Sequence, residues 1–232
     1  MTDLFEAAGL QPAAPRPLAD RLRPKSLGEV VGQEHLTGPE GAIGRMVAAG
    51  RLSSMILWGP PGTGKTTIAR LLAKEAGYQF QQLSAVFSGV ADLKKAFEAA
   101  RVRRMAGQAT LLFVDEIHRF NRAQQDGFLP FVEEGIVTLV GATTENPSFE
   151  LNGALLSRCQ VFVLKRLDDD AMQSLLAKAE AFEKRELPLT PEARAAMIAS
   201  RAAASSGSAR PSCASALASR LARASESRRR ST

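Results

Sequence analysis

Gly59-Pro-Pro-Gly-Thr-Gly-Lys-Thr66 is the stretch that decides the fold, and it directly follows the apolar run Met55-Ile-Leu-Trp58. It matches the pattern G-x-x-x-x-G-K-[ST] at every fixed position. The apolar run predicts a buried strand, and the spacing of apolar residues over Thr66–Ala76 predicts a helix. A glycine-rich loop between a strand and a helix turns successive backbone N–H groups toward phosphate oxygens. The stretch therefore predicts a phosphate-binding loop; the alternative is a glycine-rich turn that fits the pattern by chance.

Each residue type in this loop has a role in holding a nucleoside triphosphate. The glycines let the backbone wrap around phosphate, and the helix N-terminus adds partial positive charge. Lys65 reaches the β- and γ-phosphates, and the hydroxyl of Thr66 ligates Mg²⁺. We therefore expect ATP and Mg²⁺ as the cofactors. The expected nucleotide contacts in the loop are Gly59, Pro60, Pro61, Gly62, Thr63, Gly64, Lys65, Thr66 and Thr67.

Two acidic residues end a second apolar run, in Leu111-Leu-Phe-Val-Asp115-Glu116. A carboxylate at the end of a buried strand can hold Mg²⁺, which is the role expected of Asp115. Glu116 is expected to orient or deprotonate the attacking water. Carboxylates that directly follow four apolar residues are costly unless a cation compensates them. The pattern therefore favours hydrolysis over binding alone; two solvated turn carboxylates are the alternative.

Two further segments carry candidate catalytic side chains near the ends of predicted strands. In Gly141-Ala-Thr-Thr-Glu-Asn146, Thr144 is the residue expected beside the γ-phosphate, where it would position the water. A Thr or Asn that only caps a turn is the alternative. In Ser157-Arg-Cys159, Arg158 is expected to point toward a neighbouring subunit as an arginine finger, worth roughly 10³–10⁵ in rate. An ordinary surface arginine is the alternative.

Apolar runs that alternate with helical patterns predict an α/β fold with a five-stranded parallel sheet covered by helices on both faces. Ligands in such sheets bind outside the carboxyl ends of the strands, where every motif above falls. The predicted strands are Met55–Trp58, Phe80–Leu83, Thr110–Val114, Ile136–Val140 and Val161–Leu164. The predicted helices are Pro39–Gly50, Thr66–Ala76, Ala91–Met105, Gln124–Glu134, Asp168–Arg185 and Pro191–Ser200.

The composition indicates a globular protein of the cytoplasm. Of 232 residues 45% are apolar, and no run of about 18 apolar residues could span a membrane. The first residues lack the basic and apolar regions of a secretory signal. The two cysteines, Cys159 and Cys213, exclude a disulfide framework. The net charge of +6 comes from residues 201–232, with seven basic residues and one acidic, so it does not indicate DNA binding by the folded part.

The order of these motifs resembles the AAA+ ATPases of the clamp-loader clade. The match is closer to one family, replication-associated recombination protein A (RarA, also called MgsA), the bacterial relatives of the Werner-helicase-interacting protein. The similarity runs from about Pro17 to Ser200. It is carried by the segments Pro17-Leu-Ala-Asp-Arg-Leu-Arg-Pro24, Gly32-Gln-Glu-His-Leu36, Ser54-Met-Ile-Leu-Trp-Gly59, Phe113-Val-Asp-Glu-Ile-His-Arg-Phe-Asn121 and Gly141-Ala-Thr-Thr-Glu-Asn-Pro-Ser-Phe149.

The resemblance implies a DNA-stimulated ATPase that acts at stalled or gapped replication forks. Its expected partners are single-stranded, gapped or forked DNA and single-strand-binding protein, and members of the family are homo-tetramers. It implies a cytoplasmic, nucleoid-associated protein without a membrane partner. The rival functions are a clamp-loader subunit, a branch-migration motor, and a non-catalytic scaffold whose contacts depend on bound nucleotide.

The resemblance also implies roles for individual residues. Thr144 matches sensor 1, and Arg158 matches the finger that acts in trans. The segment that packs on adenine is matched by Arg23, Pro24, Val31 and Gly32. Ser84 matches a polar residue that can hold the catalytic glutamate. Three residues are candidates for facing DNA, with solvated side chains as the alternative: His118, Arg119 and Arg122. The segment Asp3-Leu4-Phe5 faintly resembles peptides that dock on sliding clamps, and a chance match is the alternative.

The expected domains are a flexible leader over 1–17, an AAA+ ATPase core over 18–166, a partial helical lid over 167–200 and a tail over 201–232. Of the 32 tail residues 25 are Ala, Arg or Ser, which favours disorder. The family's Gly-Asp-x-Arg segment is missing after Arg201, so Arg210 receives no sensor role. A frameshift or truncation is one hypothesis and a genuine short variant the other. Either predicts slow turnover and a largely monomeric chain.

Overall fold

The computed structural model describes residues 18–184, 186, 189–190 and 192–194. They divide into two compact units, one of residues 24–171 and one that joins residues 18–23 to the residues from 172 onward. The predicted leader and tail, the segment around Arg201 and Arg210, and most of the predicted helix Pro191–Ser200 lie outside the described residues. No helix in the described part of the chain is long and apolar enough to cross a lipid bilayer.

A five-stranded, wholly parallel sheet organises the larger unit, which confirms the predicted α/β fold. The strand order is β2-β3-β4-β1-β5, so β1 and β4 lie side by side in the interior of the sheet. The strands are β1 Met55–Trp58, β2 Gln79–Ser84, β3 Thr110–Asp115, β4 Thr138–Thr143 and β5 Gln160–Val163. Because all strands point the same way, the residues that follow them meet at one edge of the sheet.

Helices connect the strands and supply the layers above and below the sheet. Before β1 lie α1 Leu18–Arg21, α2 Glu34–Thr37 and α3 Ala42–Ala48, and the two longest helices between strands are α4 Lys65–Glu75 and α5 Val90–Met105. Between β3 and β5 lie α6 Arg122–Asp126, α7 Leu129–Glu133, α8 Pro147–Glu150 and α9 Gly153–Leu156, and α10 Asp169–Glu183 follows β5. Single 3₁₀ turns occupy Leu27–Glu29 and Ile117–Arg119.

Two hydrophobic cores lie on opposite faces of the sheet because successive side chains of a strand point to opposite sides. One core packs α3 and α4 on alternate strand residues, with Ile43, Ile68, Leu72, Met55, Leu57, Leu111 and Phe113 among its members. The other core packs α5 and the turn after β3 on the strand residues that point to the opposite face. Its members include Phe97, Phe128, Ile117, Ile56, Leu112, Val114 and Leu139. The predicted covering of both faces is therefore confirmed.

One predicted helix is divided in the structure, and one predicted strand is shifted along the chain. The helix predicted over Gln124–Glu134 is divided into α6 and α7, because the chain bends at Gly127 and restarts with Pro130 in the first turn of α7, where its missing N–H costs nothing. The strand predicted over Ile136–Val140 is shifted to Thr138–Thr143. The amides of Ile136 and Val137 donate to the carbonyl of Phe131 and so are not available to the sheet. The shift places Thr143 at the end of β4.

The smaller unit is built around α10. Leu176 and Ala179 are buried there, with Leu18, Leu22 and Leu189 packed against them. Arg21 pairs with Glu183 at 3.0 Å and lies over the ring of Phe182, 4.6 Å from its centroid.

Candidate active site

The phosphate-binding loop predicted from the sequence joins β1 to α4. Gly62 and Gly64 have φ angles of 78° and 93°, a left-handed conformation that glycine adopts without steric cost. A Cβ at Gly59 would lie 2.6 Å from the carbonyl oxygen of Leu164, so the loop leaves β1 by passing close to the backbone after β5. The amide of Gly59 also donates to the carbonyl of Thr143 at 3.2 Å. The loop is therefore anchored between β4 and β5.

Lys65 is buried at the first position of α4, with 8% of its surface exposed. Its ammonium donates to the carbonyls of Gly59 at 2.7 Å and Pro60 at 3.0 Å. Burial lowers the pKa of Lys65, while the carboxylates of Glu116 and Asp115 act in the opposite direction and raise it. The loop thus holds its cation among carbonyl oxygens, and the two acidic residues predicted to act with it are within electrostatic reach.

The residues present fit a magnesium–nucleotide complex. Asp115 is the last residue of β3, and Thr66 lies in the first turn of α4. A hydroxyl and a carboxylate are hard oxygen donors, and Mg²⁺ with a nucleotide takes one or two such groups together with phosphate oxygens and water. The left-handed glycines and the helix N-terminus meet the requirements of the phosphates. Thr66 and Asp115 would hold the metal, and the loop from Gly59 to Thr67 would hold the phosphates.

Glu116 follows Asp115 and has the left-handed φ of 53°, which is uncommon for a residue with a side chain. Its Oε2 atom lies 3.5 Å from the hydroxyl of Thr144 and 3.4 Å from Nδ1 of His118. The structure thus brings together two of the predicted catalytic side chains, Glu116 and Thr144. Lys65 interacts electrostatically with Glu116. The catalytic roles of these residues remain predictions.

Thr143 is a site residue that the sequence reasoning missed. It is completely buried, and its Oγ1 lies 3.0 Å from Nδ1 of His118. The same hydroxyl accepts from the amide of Glu145 at 3.0 Å and lies 3.2 Å from the carbonyl of Glu145. The Thr-Thr pair at the end of the predicted fourth strand was the available signal, but only its second member was chosen.

The three candidates for facing DNA are not equivalent. The side chain of His118 is only 8% exposed and lies against Glu116 and Thr143, so it faces inward in this structure, and its contact with DNA stays a prediction. Arg119 and Arg122 are exposed. Ser84 pairs with Asp115 in the β2–β3 register, but the contacts of the Glu116 carboxylate within the described residues come from His118 and Thr144.

Arg158, the predicted finger, lies after α9 and pairs within its own chain. Its Nε donates to Oε1 of Glu133 at 2.5 Å, and the same carboxylate receives its second guanidinium nitrogen. A third bond runs to the carbonyl of Ala154 at 2.7 Å. The side chain is 37% exposed, so a partner could reach it. The arrangement is compatible with either the finger or the surface-arginine interpretation.

The residues expected to contact adenine belong to two units. Pro24, Val31 and Gly32 lie in the larger one, where Gly32 has a φ of 79° and a Cβ there would lie 2.5 Å from Cδ2 of Leu167. Arg23 lies in the smaller unit and donates to Asp20 at 2.8 Å. The adenine contacts of these four residues stay a prediction.

Comparison with known proteins agrees with this geometry. Residues 55–167 match the model of the ATPase family associated with various cellular activities (AAA). Replication-associated recombination protein A of Escherichia coli K12 is 53% identical over 164 residues, and that of Coxiella burnetii is 55% identical over 171. These matches cover 71% and 74% of this chain but only 37% and 38% of the relatives. The ATPase WRNIP1 of Dictyostelium discoideum is 47% identical, over 75% of this chain and 19% of that protein.

Solved structures with a similar fold include a branch migration motor. Thermotoga maritima RuvB, described as a Holliday junction branch migration motor, superposes with a TM-score of 0.58 at 31% identity, over 70% of this chain and 55% of that one. A mutant of the same protein gives a TM-score of 0.62 at 27% identity, over 77% and 60%.

The parallel sheet, the phosphate-binding loop and the Asp-Glu pair define the class of the protein: it has the AAA-type ATPase domain. Within that class, the matched part of the chain is most similar in sequence, among the relatives above, to replication-associated recombination protein A. The chain spans less than two fifths of the length of these bacterial relatives.

Proposed function

We propose that this chain binds ATP with Mg²⁺ and hydrolyses it to ADP and phosphate, as the ATPase domain of a protein of DNA replication, recombination and repair. One observation carries the proposal: the buried ammonium of Lys65 lies in the phosphate-binding loop within electrostatic reach of both Glu116 and Asp115. A cation among carbonyl oxygens at a helix N-terminus binds phosphate, and a carboxylate next to a metal-binding carboxylate activates water.

The side chains divide the work of hydrolysis between them. Lys65 exchanges its bonds to the carbonyls of Gly59 and Pro60 for phosphate oxygens. Thr66 and Asp115 would hold Mg²⁺, which would supply positive charge against the phosphate oxygens. Glu116 accepts a proton from a water whose oxygen attacks the γ-phosphorus, while the bond from that phosphorus to the β–γ bridging oxygen breaks. Thr144, which lies beside Glu116, positions the same water.

The finer proposal concerns DNA and assembly. The names of the relatives support a role in DNA replication and recombination, and exposed Arg119 and Arg122 offer positive charge close to the catalytic carboxylates. We propose that single-stranded, gapped or forked DNA at stalled forks stimulates ATP hydrolysis, and that the protein contacts single-strand-binding protein. We further propose a homo-tetrameric assembly of the whole protein and a cytoplasmic, nucleoid-associated location. Arg158 would then complete the site of a neighbouring subunit.

The test compares four variants for nucleotide binding and turnover, with and without gapped DNA. We expect Lys65→Ala to lose binding of a fluorescent ATP analogue. Glu116→Gln should retain binding but lose turnover by about 10²-fold or more, the usual contribution of a general base. The matched controls are Lys74→Ala, at the exposed end of α4, and Glu98→Gln, on the exposed side of α5. Turnover that is unchanged in Glu116→Gln would contradict the catalytic assignment.

A branch-migration motor is a second candidate, because the solved structures that resemble this chain include RuvB, described as such a motor. The two functions differ in what ATP hydrolysis does to DNA. Migration of a synthetic four-way junction by the wild-type chain, absent in Lys65→Ala, would favour the second candidate. Hydrolysis stimulated by gapped DNA without junction movement would favour the first.

A further inference from the structure

We infer that His118 is a positioning residue for Glu116: its Nδ1–H donates to Thr143 at the end of β4, and the partial positive charge at Nδ1 attracts one carboxylate oxygen of Glu116. The inference rests on the proposed function, since it concerns the same glutamate. His118 lies in the 3₁₀ turn Ile117–Arg119, directly after Glu116. Its side chain is 8% exposed although the next residue, Arg119, is exposed. A polar ring buried in this way needs a partner.

Nδ1 is the ring atom that makes the contacts. It lies 3.0 Å from Oγ1 of Thr143 and 3.4 Å from Oε2 of Glu116. An Nδ1 without a proton would place a lone pair 3.4 Å from the Glu116 carboxylate, which has only acceptors when ionised. An Nδ1 with a proton can donate to Thr143 and attract Glu116 at once. The electrostatic arrangement therefore favours a proton on Nδ1.

The bonds of Thr143 lead to the same assignment. Its hydroxyl has one proton, which can be donated to the carbonyl of Glu145 at 3.2 Å. Its oxygen accepts from the amide of Glu145 at 3.0 Å and has a second lone pair for His118. With the hydroxyl proton used in this way, the bond to His118 needs Nδ1–H as the donor. Thr143, completely buried, is a fixed support for the ring.

The result is a carboxylate held on one side. Oε2 of Glu116 faces both His118 and the hydroxyl of Thr144, at 3.4 and 3.5 Å. Within the described part of the chain, Oε1 has no hydrogen bond and remains available to accept from water. Glu116 has a left-handed backbone, and its two partners lie in the following 3₁₀ turn and directly after β4. Without His118, the carboxylate would be free to turn toward Lys65, whose charge already attracts it.

The kinetic test uses two substitutions of His118. Leucine fills a similar volume without a donor, whereas the amide nitrogen of asparagine can lie near the position of Nδ1. We expect His118→Leu to lower kcat about tenfold or more, since small displacements of catalytic groups cost that much, with KM for ATP changed less than twofold. His118→Asn should recover most of the loss. The control is His35→Asn, an exposed histidine that should leave kcat unchanged.

The spectroscopic test needs no turnover. The sequence contains two histidines, so ¹⁵N spectra of the imidazole nitrogens at pH 8 show His118 beside His35 as an internal reference. We expect Nδ1 of His118 to carry a proton and its resonance to move in Glu116→Gln while that of His35 does not. A proton on Nε2 alone in the wild-type chain would overturn the inference even if a variant fails to fold, and so would a His118 resonance unaffected in folded Glu116→Gln.

The two tests also separate this inference from the proposed function. If wild-type turnover is absent or Glu116→Gln leaves it unchanged, the proposed function fails, and the spectra still decide whether His118 holds Glu116. If Glu116→Gln abolishes turnover but His118→Leu keeps the wild-type kcat, the proposed function stands and the positioning role is wrong.

Discussion

At the scale of single residues, Lys65 illustrates how a binding group can oppose folding. Burial disfavours its charged form and lowers its pKa, and the carboxylates of Glu116 and Asp115 offset part of that cost. Because the pKa falls on folding, the cost is fully present below the folded pKa and disappears as the pH rises above the unfolded value. The carbonyl oxygens of the loop offset only part of the cost of burying the ammonium, and a bound phosphate would offset the rest. The site is therefore suited to an anion.

Cys159 lies beside Arg158 and packs against the core that contains Ile56 and Phe128. Burial raises the pKa of the Cys159 thiol from 9.0 to about 11. The thiolate is the reactive form, so a shift of that size leaves roughly 100-fold less of it in the folded chain at pH 8. We expect Cys159 in a Cys213→Ser variant to resist iodoacetamide at pH 8 and to react quickly in guanidinium chloride, as measured by peptide mass spectrometry.

The same shift has a consequence for stability. Between pH 9.0 and about 11 the unfolded chain loses the thiol proton while the folded chain keeps it, so the free energy of unfolding should fall as the pH rises through this window. Cys159→Ser should reduce that dependence. Equally fast alkylation of the folded and the denatured chain at pH 8 would show that Cys159 is not protected.

At the scale of elements, β4 packs closely on the turn after β3, which carries Glu116, the glutamate that we propose to be catalytic. A Cβ at Gly141 would lie 2.8 Å from Cδ1 of Ile56 and 2.9 Å from Cδ1 of Ile117. Both isoleucines are completely buried, so neither has space to yield. Gly141 therefore lets β4 approach the turn closely enough for Thr143 to reach His118.

Substituting Gly141 should separate the strand from the turn. We expect Gly141→Ala to destabilise the chain by about 1–3 kcal/mol through overpacking, and to lower kcat more than it changes KM, because the displaced turn carries Glu116. The control is Gly153→Ala, where a Cβ meets nothing within 4 Å and the stability should hold or rise slightly. Thermal unfolding and steady-state turnover measure the two effects. A Gly141→Ala chain as stable as Gly153→Ala would contradict this account of the packing.

The sequence could predict the features that depend on residues close together along the chain. The strands β1 and β3 were found because their apolar runs end at motifs with fixed spacing, and the same spacing indicated Lys65, Asp115 and Glu116. The start of β4 was missed because Ile136 and Val137, though apolar, bond to the carbonyl of Phe131.

The supporting contacts of the site were also beyond the reach of the sequence. His118 and Thr143 are 25 residues apart, and their contact depends on the directions of two side chains and on the close approach at Gly141. No periodicity or motif spacing encodes that combination, and the apparent solvent exposure of a histidine next to two arginines suggested a surface role instead. The structure was needed to show that the ring faces inward.

At the scale of the whole molecule, the question is whether Arg158 serves another subunit. Within this chain its guanidinium binds Glu133 and the carbonyl of Ala154, so action in trans requires it to exchange the Glu133 carboxylate for a phosphate. Carboxylate and phosphate oxygens both accept bonds from a guanidinium, and the 37% exposure of Arg158 keeps the pair accessible. The exchange is therefore chemically feasible, and its occurrence depends on a neighbour bringing its nucleotide close.

Mixing two inactive variants decides between the finger and a surface arginine. Lys65→Ala loses its own nucleotide but keeps Arg158, whereas Arg158→Ala keeps the nucleotide and loses the finger. If Arg158 acts in trans, an equimolar mixture should regain about a quarter of wild-type turnover. Half of the subunits can bind nucleotide, and half of those have a neighbour that still carries Arg158. Arg51→Ala, an exposed arginine, is the control and should keep full turnover. Light scattering with ATP measures whether the sample is oligomeric. In an oligomeric sample, a mixture no faster than the sum of its parts would exclude the finger in trans.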